Sequence, residues 1–241
     1  MVDREAVGGR RMGRDPRLLA LAELVPPGLA VADVGTGGRA ALARLLVASG
    51  RSPGAVGIEA SHPTWQAAAD LVARRGPVEV AVRRGRGVAP LSSGEAAVLV
   101  AAGLGGRGII DLLEEAGPRL GEFRRLVLGP QRDAAVLRRW LAERGFRLAW
   151  EELVAARRRI YELIAAEPGV EPASGAELEI GPRLLERRHP LLANLLRYRV
   201  QRLEAAAAQA AWAGNEQAAS RLFEAARRLR KVGETWLSLR I

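Results

Sequence analysis

Asp33-Val-Gly35-Thr36-Gly37 is the segment of this 241-residue chain whose residue types and spacing best suit chemistry. It follows a short apolar stretch, Leu29 to Val34, and opens a helical pattern from Arg39 to Ser49. Gly35 and Gly37 allow a tight turn and a close approach of the backbone to a ligand, and the start of a helix offers backbone N–H groups. Two cofactor readings fit these residues. Gly35, Gly37 and Ala40 match the Gly-x-Gly-x-x-Ala dinucleotide fingerprint, with Glu59 near the spacing of the ribose-binding acid. They equally match the first motif of S-adenosylmethionine (SAM) enzymes, in which Glu59 would chelate the ribose hydroxyls. Asp33 favours SAM, because a carboxylate suits the cationic amino acid part of that cofactor and repels a pyrophosphate.

These residues need a scaffold, and the hydrophobic pattern supplies one. An amphipathic helix over Pro16 to Leu24 precedes the Asp33 strand. Then come strands at 55–59, 78–82, 96–102 and 126–129, alternating with helices at 63–75, 108–116 and 133–144. Strands and helices in turn predict a parallel sheet covered on both faces. Phe146 to Val154 and Arg158 to Ile164 are separated by too few residues for a parallel crossover, so they predict an antiparallel hairpin. The fold class is α/β: a Rossmann-like doubly wound sheet that ends in an antiparallel hairpin, as in class I methyltransferases. Beyond it, 190–212 and 216–232 carry apolar seams at helical spacing across the Gly214-Asn215 break, which predicts an antiparallel helical hairpin or coiled coil. The expected domains are a flexible basic tail at 1–15, a cofactor-binding domain at 16–168, a linker at 169–181 and a helical domain at 182–241.

Composition narrows the function. Cysteine is absent and the two histidines, His62 and His189, are far apart, so no metal site, disulfide or thiol nucleophile is expected. No apolar run is long enough to span a membrane and no secretory signal is evident, which predicts a cytoplasmic protein. The net charge is +10, carried by 36 arginines and a single lysine, Lys231. Residues 181–241 hold 12 basic and 5 acidic side chains, a net +7. A helical segment that carries most of the positive charge suits a polyanion such as RNA. Arg197, Arg199 and Arg202 on its first helix, with Arg227, Arg228, Arg230 and Lys231 on its second, are the candidate phosphate contacts.

Several segments together resemble one family, the bacterial tRNA (adenine-22, N1)-methyltransferases of the TrmK type. They are Val31-Ala-Asp-Val-Gly-Thr36, Val100-Ala-Ala-Gly-Leu-Gly-Gly106 with Ile109-Ile-Asp-Leu-Leu113, and Leu128-Gly-Pro130 leading into Leu137 to Phe146. Trp150-Glu-Glu-Leu-Val154, Ile160-Tyr-Glu-Leu-Ile164 and Ile180-Gly-Pro182 continue the likeness, which runs in order over residues 15–210. The resemblance implies a SAM-dependent enzyme that methylates N1 of an adenine in tRNA, with the helical domain helping to hold the RNA. It assigns Asp33, Gly35, Thr36, Gly37, Glu59, Arg86, Gly87, Ala102 and Gly103 to the cofactor. It assigns Gly103, Leu104, Gly105, Gly106, Pro130 and Gln131 to the target base, whose amino group the loop carbonyls would accept.

The chain departs from the family pattern at three places. Gly37-Gly38 stand where the family's first loop continues to an Asp-His pair, Arg86-Gly87-Val88 replaces Asp-Gly-Leu, and Pro130-Gln131 replaces Pro-Asn. Adenine N1 is already a lone-pair nucleophile at neutral pH, so transfer needs chiefly positioning, and loss of the loop Asp is expected to weaken activity and need not abolish it. Arg86 is expected to face solvent, leaving backbone to touch the cofactor's adenine. A diverged homologue that binds SAM or RNA without turnover is the alternative reading, and an NAD(P)-dependent oxidoreductase a more distant one. The oligomeric state stays open between monomer and weak dimer.

Overall fold

Seven strands form one sheet in the computed structural model, which describes residues 15–157 and 159–237. The expected basic tail therefore lies, except for Asp15, outside the described residues. The described chain divides into two compact units between Pro172 and Ala173.

The first unit opens with α1 (Pro16–Leu24), whose start is dictated locally. Asp15 accepts the Arg17 N–H, and Pro16 occupies the first turn, where its missing N–H is not needed. There follow β1 (Val31–Val34), α2 (Ala41–Ala48), β2 (Ala55–Glu59), α3 (His62–Arg75), β3 (Val80–Arg84), β4 (Val98–Ala102), α4 (Gly106–Ala116), β5 (Arg125–Gly129), α5 (Ala134–Glu143), β6 (Phe146–Ala156) and β7 (Arg159–Pro168). The sheet order is β3-β2-β1-β4-β5-β7-β6. Strands β1 to β5 are parallel, and β7 runs antiparallel to both β5 and β6. The doubly wound sheet with its terminal antiparallel hairpin is thus the observed architecture. Leu21, Leu24, Leu42, Leu46, Val31 and Val98 pack into the core that joins α1 and α2 to the sheet. Each such side chain, once fully buried, contributes about 1.5–3 kcal/mol.

The hairpin is threaded so that its second strand, not its first, lies against β5. Leu163, Ile164, Ala165 and Ala166 on β7 are buried in succession, as a strand covered on both faces requires. β6 alternates buried and exposed residues and forms the edge.

Two expected boundaries are corrected. Strand β3 runs 80–84 rather than 78–82, because Val80 N–H closes a turn on Pro77 and leaves Val78 almost wholly exposed. The register Ala55↔Val80 through Glu59↔Arg84 then carries the strand to the level of Glu59. The stretch 169–181, expected as a linker, contains a helix, α6 (Gly175–Ile180), with Ser174 and Glu177 forming a capping box. The second unit continues through α7 (Pro182–Glu186), α8 (Leu192–Trp212) and α9 (Glu216–Leu237). Ala207 on α8 and Ala219, Ala226 and Leu229 on α9 are buried, and Glu204 is bridged to Arg230 at 2.6 Å across the pair.

Candidate cofactor and base site

Strand β1 delivers Asp33 to the carboxyl edge of the sheet, and the turn after it is held by specific bonds. Gly35 and Thr36 N–H groups both donate to the Ile58 carbonyl, at 2.9 and 3.2 Å. Gly35 and Gly37 adopt φ of +76° and +69°, a left-handed backbone that glycine enters without strain. Gly57 on β2 leaves the space that the Thr36 side chain fills, since a Cβ there would lie 2.9 Å from Thr36 Cγ2.

Asp33 is 5% exposed. Thr36 Oγ1 donates to its Oδ2 at 2.6 Å, and the Ala43 N–H at the start of α2 also bonds to the carboxylate. Burial pushes its pKa up to about 6, against the two hydrogen bonds, and the nearby Glu59 carboxylate adds to the rise. This arrangement decides between the two cofactor readings of the loop. A dinucleotide pyrophosphate sits at the helix N-terminus, and here the protein's own carboxylate already occupies it. The site instead offers negative charge.

Glu59, the last residue of β2, is tied to the same loop. Gly37 N–H donates to its Oε2 at 3.2 Å and Ser61 N–H to its Oε1 at 3.3 Å. A carboxylate has about four acceptor positions, so two N–H groups leave room for a pair of ribose hydroxyls. Next to it, Gly85 N–H donates to the Glu59 carbonyl at 3.1 Å, where β3 ends. Arg86 then points its side chain into solvent, while Gly87 is buried with φ of +50°.

At the ends of β4 and β5 the chain forms the other wall. Gly103, with φ of +90°, donates its N–H to the Gly129 carbonyl at 3.3 Å, and Gln131 N–H donates to the Leu104 carbonyl at 2.8 Å. The Gly105 carbonyl accepts from Ile109 N–H at 3.0 Å, and Gly106 is the first residue of α4, pressed against the Asp133 carbonyl so closely that no Cβ would fit. Two of the loop carbonyls expected to meet the target base, those of Leu104 and Gly105, thus each already accept one backbone N–H.

An open cleft of about 180 Å³ brings together Asp33, Gly35, Thr36, Ala102, Gly103 and Gln131. Gly37, Glu59, Arg86, Gly87, Leu104, Gly105, Gly106 and Pro130 do not line it. Sequence reasoning missed three polar residues that do, Arg17, Tyr161 and Glu162. The Arg17 guanidinium lies 4.6 Å over the Tyr161 ring and is paired with Asp15 at 2.7 Å. Glu162 is bonded at Oε2 by the fully buried Arg138 of α5, at 2.8 Å, and Arg138 also holds Glu151 at 2.5 Å. Burial works against the charge of Arg138, and the two carboxylates more than restore it, so its pKa lies above the ordinary arginine value. The signal available in the sequence was a carboxylate one residue before the fully apolar stretch Leu163 to Ala166, where burial requires a cationic partner.

In the helical unit, Arg197, Arg202, Arg227, Arg228 and Lys231 are exposed. Arg202 lies 6.0 Å over the Tyr198 ring. The other two candidates are engaged within the unit. Arg199 is partly buried and donates to the Glu179 carbonyl at 3.2 Å, and Arg230 is held by Glu204. Among the described residues no helix is long and apolar enough to cross a membrane, and no group of three or more His, Cys, Asp or Glu could hold a metal ion.

The TrmK family, described as tRNA (adenine(22)-N(1))-methyltransferase, matches residues 31–234. The chain belongs to that family. It is 28% identical to the tRNA (adenine(22)-N(1))-methyltransferase of Bacillus subtilis strain 168, over 90% of this chain and 94% of that protein. The crystal structure of the B. subtilis TrmK superposes with a TM-score of 0.81 at 26% identity, covering 90% of this chain and 97% of the other. A Streptococcus pneumoniae protein solved in complex with SAM superposes with a TM-score of 0.76 at 28% identity, covering 87% and 99%.

This TrmK chain accommodates its departures from the family pattern differently. At Gly38 a Cβ would make only ordinary contacts, 3.6 Å to Ala67 and 3.8 Å to Thr64, so its absence relieves no clash. Arg86 is exposed, and Gly87 after it is buried, where an added Cβ would lie 3.6 Å from Glu115 Oε2. Gln131 keeps an amide side chain in the cleft, beside Gly103.

Proposed function

We propose that this chain binds SAM with its carboxylate-lined loop and transfers the methyl group to N1 of an adenine in tRNA. The observation that supports this most is the Asp33 carboxylate, buried at the start of α2 where a phosphate would otherwise bind, with Glu59 coupled to it through the same loop. Bound SAM supplies a methyl group activated by a positively charged sulfonium. Asp33 faces the cationic amino acid end, Gly35 and Gly37 admit it to the backbone, and Glu59 takes the ribose hydroxyls. Gly87 and its neighbours form the backbone wall for the cofactor's adenine. Gly103 and Gln131 border the space for the target base, where a lone-pair nucleophile needs in-line placement more than deprotonation. The exposed basic side chains of α8 and α9 hold tRNA phosphates, and the substrate places the enzyme in the cytoplasm.

The test is transfer of radiolabelled methyl from SAM to bulk tRNA. Incorporation that saturates with SAM and is competed by its demethylated product supports the reading. SAM binding without any incorporation would instead make this a non-catalytic homologue, and binding of NAD in place of SAM would overturn the cofactor assignment.

A further inference from the structure

We propose that Glu162 is the carboxylate that receives the amino group of the target adenine and fixes that base for methylation. The inference rests on the methyltransferase reading and deepens it. The antiparallel register Leu128↔Ile164, continued by two residues, sets Glu162 level with Pro130, at the carboxyl edge of the sheet. There it lines the same cleft as Asp33, Gly103 and Gln131.

Its surroundings are built to hold a charge, not merely to fill space. Arg138 and Glu151 are fully buried, Glu162 is 12% exposed, and the Arg138 guanidinium holds both carboxylates. Such a buried cluster is a poor source of stability, because desolvating its charges offsets their attraction, and among the described residues Arg138 Nη1 has no hydrogen-bond partner. What it does is fix the Glu162 carboxylate at the wall of the cleft, where it can meet a positive charge.

The reaction supplies one. As the N1 lone pair of adenine forms its bond to the methyl carbon, the carbon–sulfur pair returns to sulfur, and the positive charge passes from the sulfonium to the adenine ring. That charge spreads onto the exocyclic N6, whose N–H then donates more strongly. A carboxylate accepting that N–H binds the transition state better than the ground state and orients N1 at the same time. The N6 proton leaves to water after transfer. Two of the loop carbonyls that could have taken the amino group, those of Leu104 and Gly105, already accept Gln131 and Ile109 N–H groups. A carboxylate here also rejects guanine, which presents an acceptor oxygen in place of the amino group.

Single-turnover methylation at saturating SAM and tRNA tests this with Glu162→Gln, Glu151→Gln, and a tRNA carrying purine, which lacks the 6-amino group, at the target position. Loss of a hydrogen bond to a charged group predicts a rate about 10- to 100-fold lower for Glu162→Gln, with SAM and tRNA dissociation constants within about threefold of wild type. Glu151→Gln touches the same arginine from outside the cleft and is expected to keep the rate within about threefold. Wild type on the purine tRNA is expected to lose a similar factor to Glu162→Gln, and combining the two changes to lose little more. That arm with wild-type protein needs no variant to fold. The inference is overturned if Glu162→Gln keeps the wild-type rate, if Glu151→Gln loses as much, if wild type methylates the purine tRNA at full rate, or if the two losses multiply. Wild type that methylates no native tRNA would overturn the function reading and this one with it.

Discussion

Asp33 sets the residue-scale behaviour, because one buried carboxylate ties the loop to α2 and, in the proposed function, also faces the ligand. Its pKa of about 6 in the folded chain exceeds the ordinary 3.8, so between these values the folded state binds the extra proton. Stability therefore falls as pH rises from about 4 to about 6 and is level above that, by an amount on the order of 3 kcal/mol for a shift of this size. Asp33→Asn keeps the shape and removes the buried charge. We expect it to melt higher than wild type at pH 8, with the difference shrinking towards pH 4, in thermal melts followed by circular dichroism. The same variant is expected to bind SAM at least about tenfold more weakly by calorimetry. In wild type, a cationic ligand favours ionised Asp33, so SAM affinity should climb between pH 5 and 7 with release of a proton. Affinity that ignores pH over that range would contradict the pairing. The sequence disclosed Asp33 and Glu59 because each stands next to a recognisable turn or strand end. For Glu162 the sequence offered only its place before an apolar stretch, and its partner Arg138 became visible when the fold brought α5 to β7.

At the scale of elements, the loop between β1 and α2 works because β2 lies beneath it. Ile58 accepts both loop N–H groups, and Gly57 leaves the pocket for Thr36. Gly57→Ala is expected to force Thr36 away from Asp33, costing about 1–3 kcal/mol of stability by overpacking and weakening SAM binding more than tRNA binding. Denaturant melts and calorimetry check both halves. The alternation of strands and helices was legible because each apolar run is short and bounded by Gly or Pro, as at Gly28 and Gly54. The end of β3 was not, since Val78 and Val80 look alike and only pairing with Ala55 places one inside. Nor was the insertion of β7 beside β5, which depends on which hairpin strand must be covered on both faces. Residues 175–180 read as linker because a six-residue helix is too short to show a period.

At the scale of the whole molecule, the first unit carries the Asp33 and Glu59 carboxylates at its loop, and the helical unit exposes Arg197, Arg202, Arg227, Arg228 and Lys231, the side chains proposed to meet the tRNA. For three to five phosphate contacts, log affinity for tRNA is expected to fall with log salt at a slope of about −3 to −5. Arg227→Ala or Arg228→Ala should flatten that slope by about one. Arg230→Ala should change it less, because Glu204 already holds that side chain. Filter binding over a salt series reads all three. The charge split was plain in the sequence, but which arginines are engaged was not, since helical spacing alone does not reveal that Glu179 and Glu204 are close.

Methylation of adenine N1 in tRNA leaves a product that can be read in the RNA itself. Its most direct test is mass spectrometry of nucleosides from tRNA incubated with the wild-type protein and SAM. N1-methyladenosine is expected to accumulate with time and to be absent when SAM is omitted. Digests without N1-methyladenosine, from protein shown by calorimetry to bind SAM, would contradict it.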